Sequence, residues 1–237
     1  MKLYRDTGVV LRTYRLGEAD RIVVLMTAEH GKVRAVAKGV RKGKSRFGGR
    51  LEPISHVSLL LYEGRQLDVV NQAESIDHLR AVREDLDRLT RAMALLEVVD
   101  QIAQEREANP RLYQMLVGAL RSLAARPAPL LVGAFYWKVL ALEGMRPELD
   151  TCVSCGSPEP LVAFDVGEGG TLCRTCRRGT AVTTEALVLL RRVLGGDLVR
   201  VLDEEPSPAT HEVEVLATRA MEHHLERRLR AVTLIDR

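Results

Sequence analysis

TGVVLRTYRLGEADRIVVLMTAEHGKVRAVAK, residues 7–38, decides the fold. Residues 7–15 and 21–27 are rich in Val, Leu, Ile, Thr and Tyr, the residue types that suit a pleated, half-buried surface. Leu16-Gly17-Glu18-Ala19-Asp20 separates them as a turn, and Ala28-Glu29-His30-Gly31 supplies a second turn in which Gly31 can take a positive φ. Residues 32–38 then alternate with period 2. Val33, Ala35 and Ala37 fall on one face, and Lys32, Arg34, Val36 and Lys38 on the other. Outward from this stretch, residues 57–62 and 66–72 form a hairpin around Glu63-Gly64-Arg65. Five short strands with polar turns and no long helix between them predict a small closed barrel, and the five-stranded OB barrel fits the length.

From Ser75 the period changes. Ile76, Leu79, Val82, Leu86, Leu89, Met93, Leu96, Val99 and Ile102 recur at steps of three and four, a helical stripe carried by one helix or two. Asn109-Pro110 restarts the chain as a helix to about Ala125. Pro127 and Pro129 break it, residues 130–143 form the next, and Gly144 ends that one. Residues 184–194 and 211–229 read as helices, with a solvated loop at 203–208 between them. The expected architecture is α+β and multidomain: an OB-type barrel over 1–75, a helical domain over 76–150 and 181–237, and a cysteine-bearing insertion over 151–180.

The 237 residues are 46% hydrophobic and 28% charged, the balance of a globular chain, which excludes disordered and low-complexity classes. The longest nearly apolar run, residues 128–137, is far shorter than the ~18 residues of a membrane span. Asp6 and Arg12 interrupt any secretory signal, so the expected location is the cytoplasm.

The net charge of +3 hides an asymmetry. Residues 1–50 hold 13 Lys and Arg against four Asp and Glu, whereas the remainder holds 22 against 28. Between Glu29 and Glu52 no carboxylate occurs, while Lys32, Arg34, Lys38, Arg41, Lys42, Lys44, Arg46 and Arg50 supply eight positive charges. Such a one-sided run, punctuated by Gly39, Gly43, Gly48 and Gly49, points to a polyanion, nucleic acid above all. It reads as a flexible loop able to drape along a phosphate backbone. Phe47 is open to two readings, a base-stacking platform or an aromatic that anchors the loop.

All four cysteines fall in Cys152-x2-Cys155 and Cys173-x2-Cys176, a spacing that brings two knuckles to one tetrahedral zinc ion. The alternatives are four free thiols or two disulfides in one of three connectivities, and a reducing compartment disfavours the disulfides. Four protein ligands leave no open position, so one Zn2+ would be structural.

Catalytic patterns fare poorly. Gly43-Lys44-Ser45 ends like a phosphate-binding loop, but Lys38 stands where its first glycine belongs. Six histidines form no metalloprotease pattern, and the adjacent His223 and His224 point to different sectors of a helix. Glu84, Asp85 and Asp87 lie among Arg80, Arg83, Arg88 and Arg91 as an ion-paired face. A binding protein with no small-molecule substrate is expected, not an enzyme.

Several blocks then resemble a known family. They are Gly8-Val9-Val10-Leu11, Gly17-Glu18-x-Asp20-Arg21, Thr27, Gly31-Lys32, Ala37-Lys38-Gly39 through Ser45, Leu51-Glu52-Pro53, Leu67 and Ala73-Glu74. A further block runs from Leu140-Ala141-Leu142-Glu143-Gly144-Met145-Arg146-Pro147 through Asp150 into Cys152-Val153-x-Cys155-Gly156. Over nearly its full length the chain resembles the RecO family of bacterial recombination mediators, least so in 203–208 and at the C-terminal end. The resemblance implies an OB barrel, a helical domain and a zinc knuckle. It also implies binding of single- and double-stranded DNA, strand annealing and, with RecR, loading of RecA onto strands coated by single-strand-binding protein. By resemblance the C-terminal tail of that protein docks on the helical domain, where Arg121, Arg126 and Lys138 are candidates by location. Either the barrel face or the loop can be the DNA surface. A zinc-ribbon adaptor for protein or RNA, with the basic loop as its docking arm, is one rival reading, and a DNA-processing enzyme with an undetected metal site is the second.

Overall fold

A computed structural model of the chain describes residues 2–43, 45, 47–158 and 160–231. It divides into two compact units, residues 1–126 and residues 127–233. The division falls inside the segment read as one helical domain, because the first helices after the barrel pack with it.

In the first unit β1 (Leu3–Leu16), β2 (Asp20–Thr27), β3 (Gly31–Ala37), β4 (His56–Tyr62) and β5 (Asp68–Asp77) close a barrel in the order β1-β2-β3-β5-β4. The closing contact is a parallel pairing of Ala35 with Asp68 and Val36 with Val69. The interior is filled by Val10, Val23, Leu25, Ala35, Ala37, Val57, Leu59, Leu61 and Val70, so the alternation read in β3 holds. A bulge between Val10 and Arg12 shifts the β1–β2 register and re-aims every later side chain of β1.

The stripe that starts at Ile76 is corrected. Ile76 lies in β5, which pairs as far as His56 with Asp77, and it is exposed. Helix α1 (Arg80–Arg83) is a single turn entered through Leu79 at φ 44°. Helix α2 (Leu86–Ile102) buries Leu95, Leu96, Val98 and Val99, whereas Leu86 is 79% exposed and Met93 is exposed as well. Helix α3 (Pro110–Ala125) starts as expected, with the Asn109 side chain accepting from the Leu112 N–H at 3.0 Å.

Salt links and backbone bonds fasten these helices to the barrel. Arg12 Nε lies 2.8 Å from Asp100 Oδ2, and Lys32 Nζ donates to the Asp100 carbonyl at 2.7 Å. Lys32 N donates to Gln104 O, and Arg106 N to Lys32 O, so the segment after α2 pairs with the start of β3. The approach is close at Gly31 (φ +65°), where a Cβ would sit 1.8 Å from Glu107 O.

In the second unit α4 (Leu131–Leu142) is buried nearly all round. A three-stranded sheet follows, β6 (Leu161–Asp165), β7 (Gly170–Cys173) and β8 (Thr180–Ala181), in the order β7-β6-β8. Then come α5 (Thr184–Gly195), α6 (Leu198–Val201) and α7 (Pro208–His224). Helix α7 begins earlier than expected, at a capping box of Ser207 and Thr210. Trp137 packs edge-on to Phe164 at 5.7 Å and donates to Val213 O at 3.2 Å, which ties α4 to both the sheet and α7. No described helix is long and apolar enough to cross a membrane.

Candidate nucleic-acid interface and metal centre

The cationic segment after β3 is pinned, contrary to the flexible loop expected from its glycines. Consecutive backbone turns run through it: Lys42 N to Gly39 O, Ser45 N to Lys42 O, Gly48 N to Ser45 O, Arg50 N to Phe47 O and Glu52 N to Gly49 O. Asp20 Oδ1 accepts from Gly39 N at 2.7 Å, and Arg41 donates to Glu18 O at 2.9 Å and through its backbone to Ala19 O at 3.0 Å. The anchors are apolar. Phe47, 1% exposed, and Leu51 enter the barrel core, with Val40 packed against it. Phe47 is therefore the loop's anchor and not a platform for a base.

This arrangement sorts the eight cations. Lys38, Arg41, Lys42 and Arg50 are exposed around the pinned loop. Arg34 is exposed on β3, 3.7 Å from Glu105. Lys32 is mostly buried and held by Asp100, so its charge serves the barrel–helix contact. Lys44 and Arg46 lie outside the described residues.

The barrel adds a surface that the sequence reading missed. Beyond the β1 bulge, Tyr14 pairs with Ile22, and Ile22 with Val36. Val23 and Ala35 point inward, so Tyr14, Ile22 and Val36 form a row on the outer face of β1–β2–β3. Tyr14 is 42% exposed and Leu16 is exposed beside it. The Arg12 guanidinium lies 5.0 Å from the Tyr14 ring centroid, and Arg34 and Lys38 flank the row. The available signal was the i, i+2 pattern Arg12-x-Tyr14-x-Leu16, unreadable without knowing the bulge.

Buried polar networks hold the frame. Asp68, fully buried, accepts from Tyr4 Oη, from Gly64 N at 2.9 Å and from Arg106 Nη2 at 2.6 Å. Burial, aided by Asp68, pushes the Tyr4 hydroxyl well above its usual range. His56 bridges Asp77 Oδ2 at 3.0 Å and Tyr113 Oη at 2.8 Å, and Tyr113 continues to Thr7 Oγ1 at 3.0 Å. The hydrogen bond from His56, with help from Arg121, holds the Asp77 carboxyl below the ordinary carboxylate range. Arg121 thus faces Asp77 at 2.8 Å; it and Arg126 belong to the first unit and Lys138 to the second.

The four cysteines come together in the second unit. Their sulfurs all lie within 4.8 Å of one another, and Cys155 Sγ is 3.7 Å from Cys173 Sγ. A tetrahedral zinc with ~2.3 Å bonds to sulfur places its ligands ~3.8 Å apart, so the donor set fits. The geometry also explains the ionisation. A hydrogen bond from the Cys173 backbone draws the Cys152 thiol down to about 6, and the Cys176 backbone lowers Cys173 in the same way. The Ser157 backbone pulls Cys155 down, but the facing sulfurs of Cys152 and Cys173 leave it raised. Cys155 and Cys173 push Cys176 up to about 12. Four thiolates at this spacing repel one another, and a divalent cation removes the conflict. Gly156 (φ +75°) turns the first knuckle so that its N–H reaches Cys152 O at 2.8 Å.

Two family models match the chain. One, described as recombination protein O N terminal, covers residues 1–79; the other, recombination protein O C terminal, covers residues 83–232.

Proposed function

Since the chain belongs to the recombination protein O family, a family of DNA repair and recombination mediators, we propose that it binds single- and double-stranded DNA and anneals complementary strands without covalent chemistry. With RecR it would help RecA load onto strands coated by single-strand-binding protein, whose acidic tail it would contact. It would act in the cytoplasm at the nucleoid.

One observation carries this reading: a cationic loop anchored by Phe47 and Leu51 adjoins a barrel face bearing an exposed aromatic among arginines. Lys38, Arg41, Lys42, Lys44, Arg46 and Arg50, with Arg34 on the barrel, would meet phosphates, and Tyr14 would stack on a base. Lys32 contributes through the frame that it shares with Asp100. Loop and barrel face then act as one surface. Two strands repel each other, and cations that meet both backbones lower the cost of bringing them together; base pairing supplies the specificity. The buried carboxylates of this unit support a role in binding: Asp6 faces His30, Asp68 faces Arg106, and Asp100 faces Arg12 and Lys32.

Cys152, Cys155, Cys173 and Cys176 would hold one zinc ion. Their four thiolates complete a tetrahedral shell, so the ion would stabilise the fold of the second unit and leave no position for substrate.

Changing Lys38, Arg41, Lys42 and Lys44 together to Glu tests the proposal by fluorescence anisotropy. Single-strand affinity and annealing should collapse with the circular dichroism unchanged. Unchanged affinity would favour the adaptor reading, and magnesium-dependent strand cleavage by the purified protein would favour an enzyme.

A further inference from the structure

The second knuckle, Cys173-Arg174-Thr175-Cys176-Arg177-Arg178, holds three arginines, and no carboxylate occurs between Glu168 and Glu185. This repeats on a smaller scale the one-sided charge of the loop after β3. The turn that carries Arg174 is bounded by Cys173 and Cys176, whose sulfurs lie within 4.8 Å of each other and of the first pair. Gly179 (φ +73°) brings the chain back over β6 so closely that a Cβ would lie 2.4 Å from Phe164 O.

Within this turn the arginines differ. Arg178 folds back onto Asp165 at 3.1 Å and onto Glu168, so its charge is neutralised locally. Arg174 and Arg177 are exposed, and neither forms an ion pair or hydrogen bond with a described residue. Beside them Arg219 donates to Thr180 Oγ1 at 2.7 Å, which brings α7 against β8. A cleft of about 680 Å³ opens there, lined by Arg219, Arg227 and Arg228 with Glu222 and Glu226, and Val166 as its apolar wall. Glu222 is engaged by Arg228 at 3.0 Å and by Leu229 N at 2.9 Å.

We propose that this knuckle, through Arg174 and Arg177, is a second contact surface for a nucleic-acid backbone, so that one chain holds one strand on its barrel unit and another on its cysteine unit. The inference rests on the reading of the protein as a strand-annealing factor and adds where the second strand is held. Guanidinium forks match the paired oxygens of a phosphate, and two of them displayed free on a fixed turn suit a repeating anion. An acidic peptide with apolar anchors would need apolar side chains to receive them, and Val166 is the single apolar residue among those lining the neighbouring cleft.

The test is a stoichiometric titration of the zinc-loaded full chain with a labelled strand of about eight nucleotides, within the ~4–16 that one OB fold covers. The wild type should saturate at two strands per chain. R174E/R177E should saturate at one, with zinc content and circular dichroism unchanged and the remaining site's affinity within about twofold. R174A/R177A should weaken the second site in the same direction, and losing two contacts should reduce its salt slope by about 1.4. Two strands retained by R174E/R177E, or only one bound by the wild type, would overturn the inference. So would loss of an acidic peptide from the variant with strand stoichiometry unchanged. A wild type that binds no strand would instead bring down the reading on which the inference rests.

Discussion

Truncating Phe47 to alanine separates the two roles open to an aromatic in a cationic loop. The ring is 1% exposed and shares the barrel core with Leu51, Leu59 and Leu61. Removing a buried phenyl ring from such a site costs ~3–5 kcal/mol, the upper end applying where the cavity cannot collapse. In a unit of 126 residues this corresponds to a fall in Tm of about 10–20 °C. Phe47→Leu should recover most of it, leaving a deficit below ~1.5 kcal/mol. The assay is thermal unfolding by circular dichroism, paired with single-strand binding at a temperature where the variant is folded. A base platform would behave oppositely, with little change in Tm and a loss of ~1–3 kcal/mol in binding. A Tm shift under about 3 °C together with a tenfold loss of affinity would refute the anchoring argument.

Tyr14→Ala should weaken single-strand binding by ~1–3 kcal/mol, read by anisotropy, while Tyr14→Phe retains it, because stacking needs the ring and not the hydroxyl. Equal loss in both variants would point away from stacking. Cys152→Ser should abolish stoichiometric zinc, measured by colorimetric release, and lower the unfolding midpoint of the second unit while DNA binding by the barrel persists. Asp77 has its folded pKa lowered by His56 and Arg121, so its stabilisation is complete above the unfolded value of ~4 and is lost as pH falls through the lower folded value. Urea midpoints measured from pH 5 down to pH 2 should therefore fall less steeply in Asp77→Asn; identical slopes would remove Asp77 from the acid-sensitive groups.

The strands of the barrel were legible because their apolar residues alternate and their turns carry glycine, Asp or Glu. The cysteine cluster was legible because metal geometry imposes its own spacing. What stayed hidden depended on contacts distant in sequence or on local irregularity. The stripe from Ile76 to Ile102 crosses a strand end, a single helical turn and a long helix, and a period counted across breaks has no common face; hence Leu86 and Met93 are exposed. The role of Lys32 needed Asp100, 68 positions away. Phe47 and Leu51 are inward-facing residues in a chain of turns, which has no period to reveal them. Tyr14 was concealed by the bulge at Val10/Arg12, since one extra residue exchanges the inner and outer sets of β1.

The most direct measurement is the dependence of single-strand affinity on salt. With about six of the cations assigned to this surface on phosphates, log affinity should fall against log salt with a slope near −4. Changing Lys38, Arg41, Lys42 and Lys44 to Glu should bring that slope to about −1, each lost contact being worth ~0.7. An affinity insensitive to salt, or a slope that the four changes leave intact, would contradict a cationic barrel unit that grips the DNA backbone.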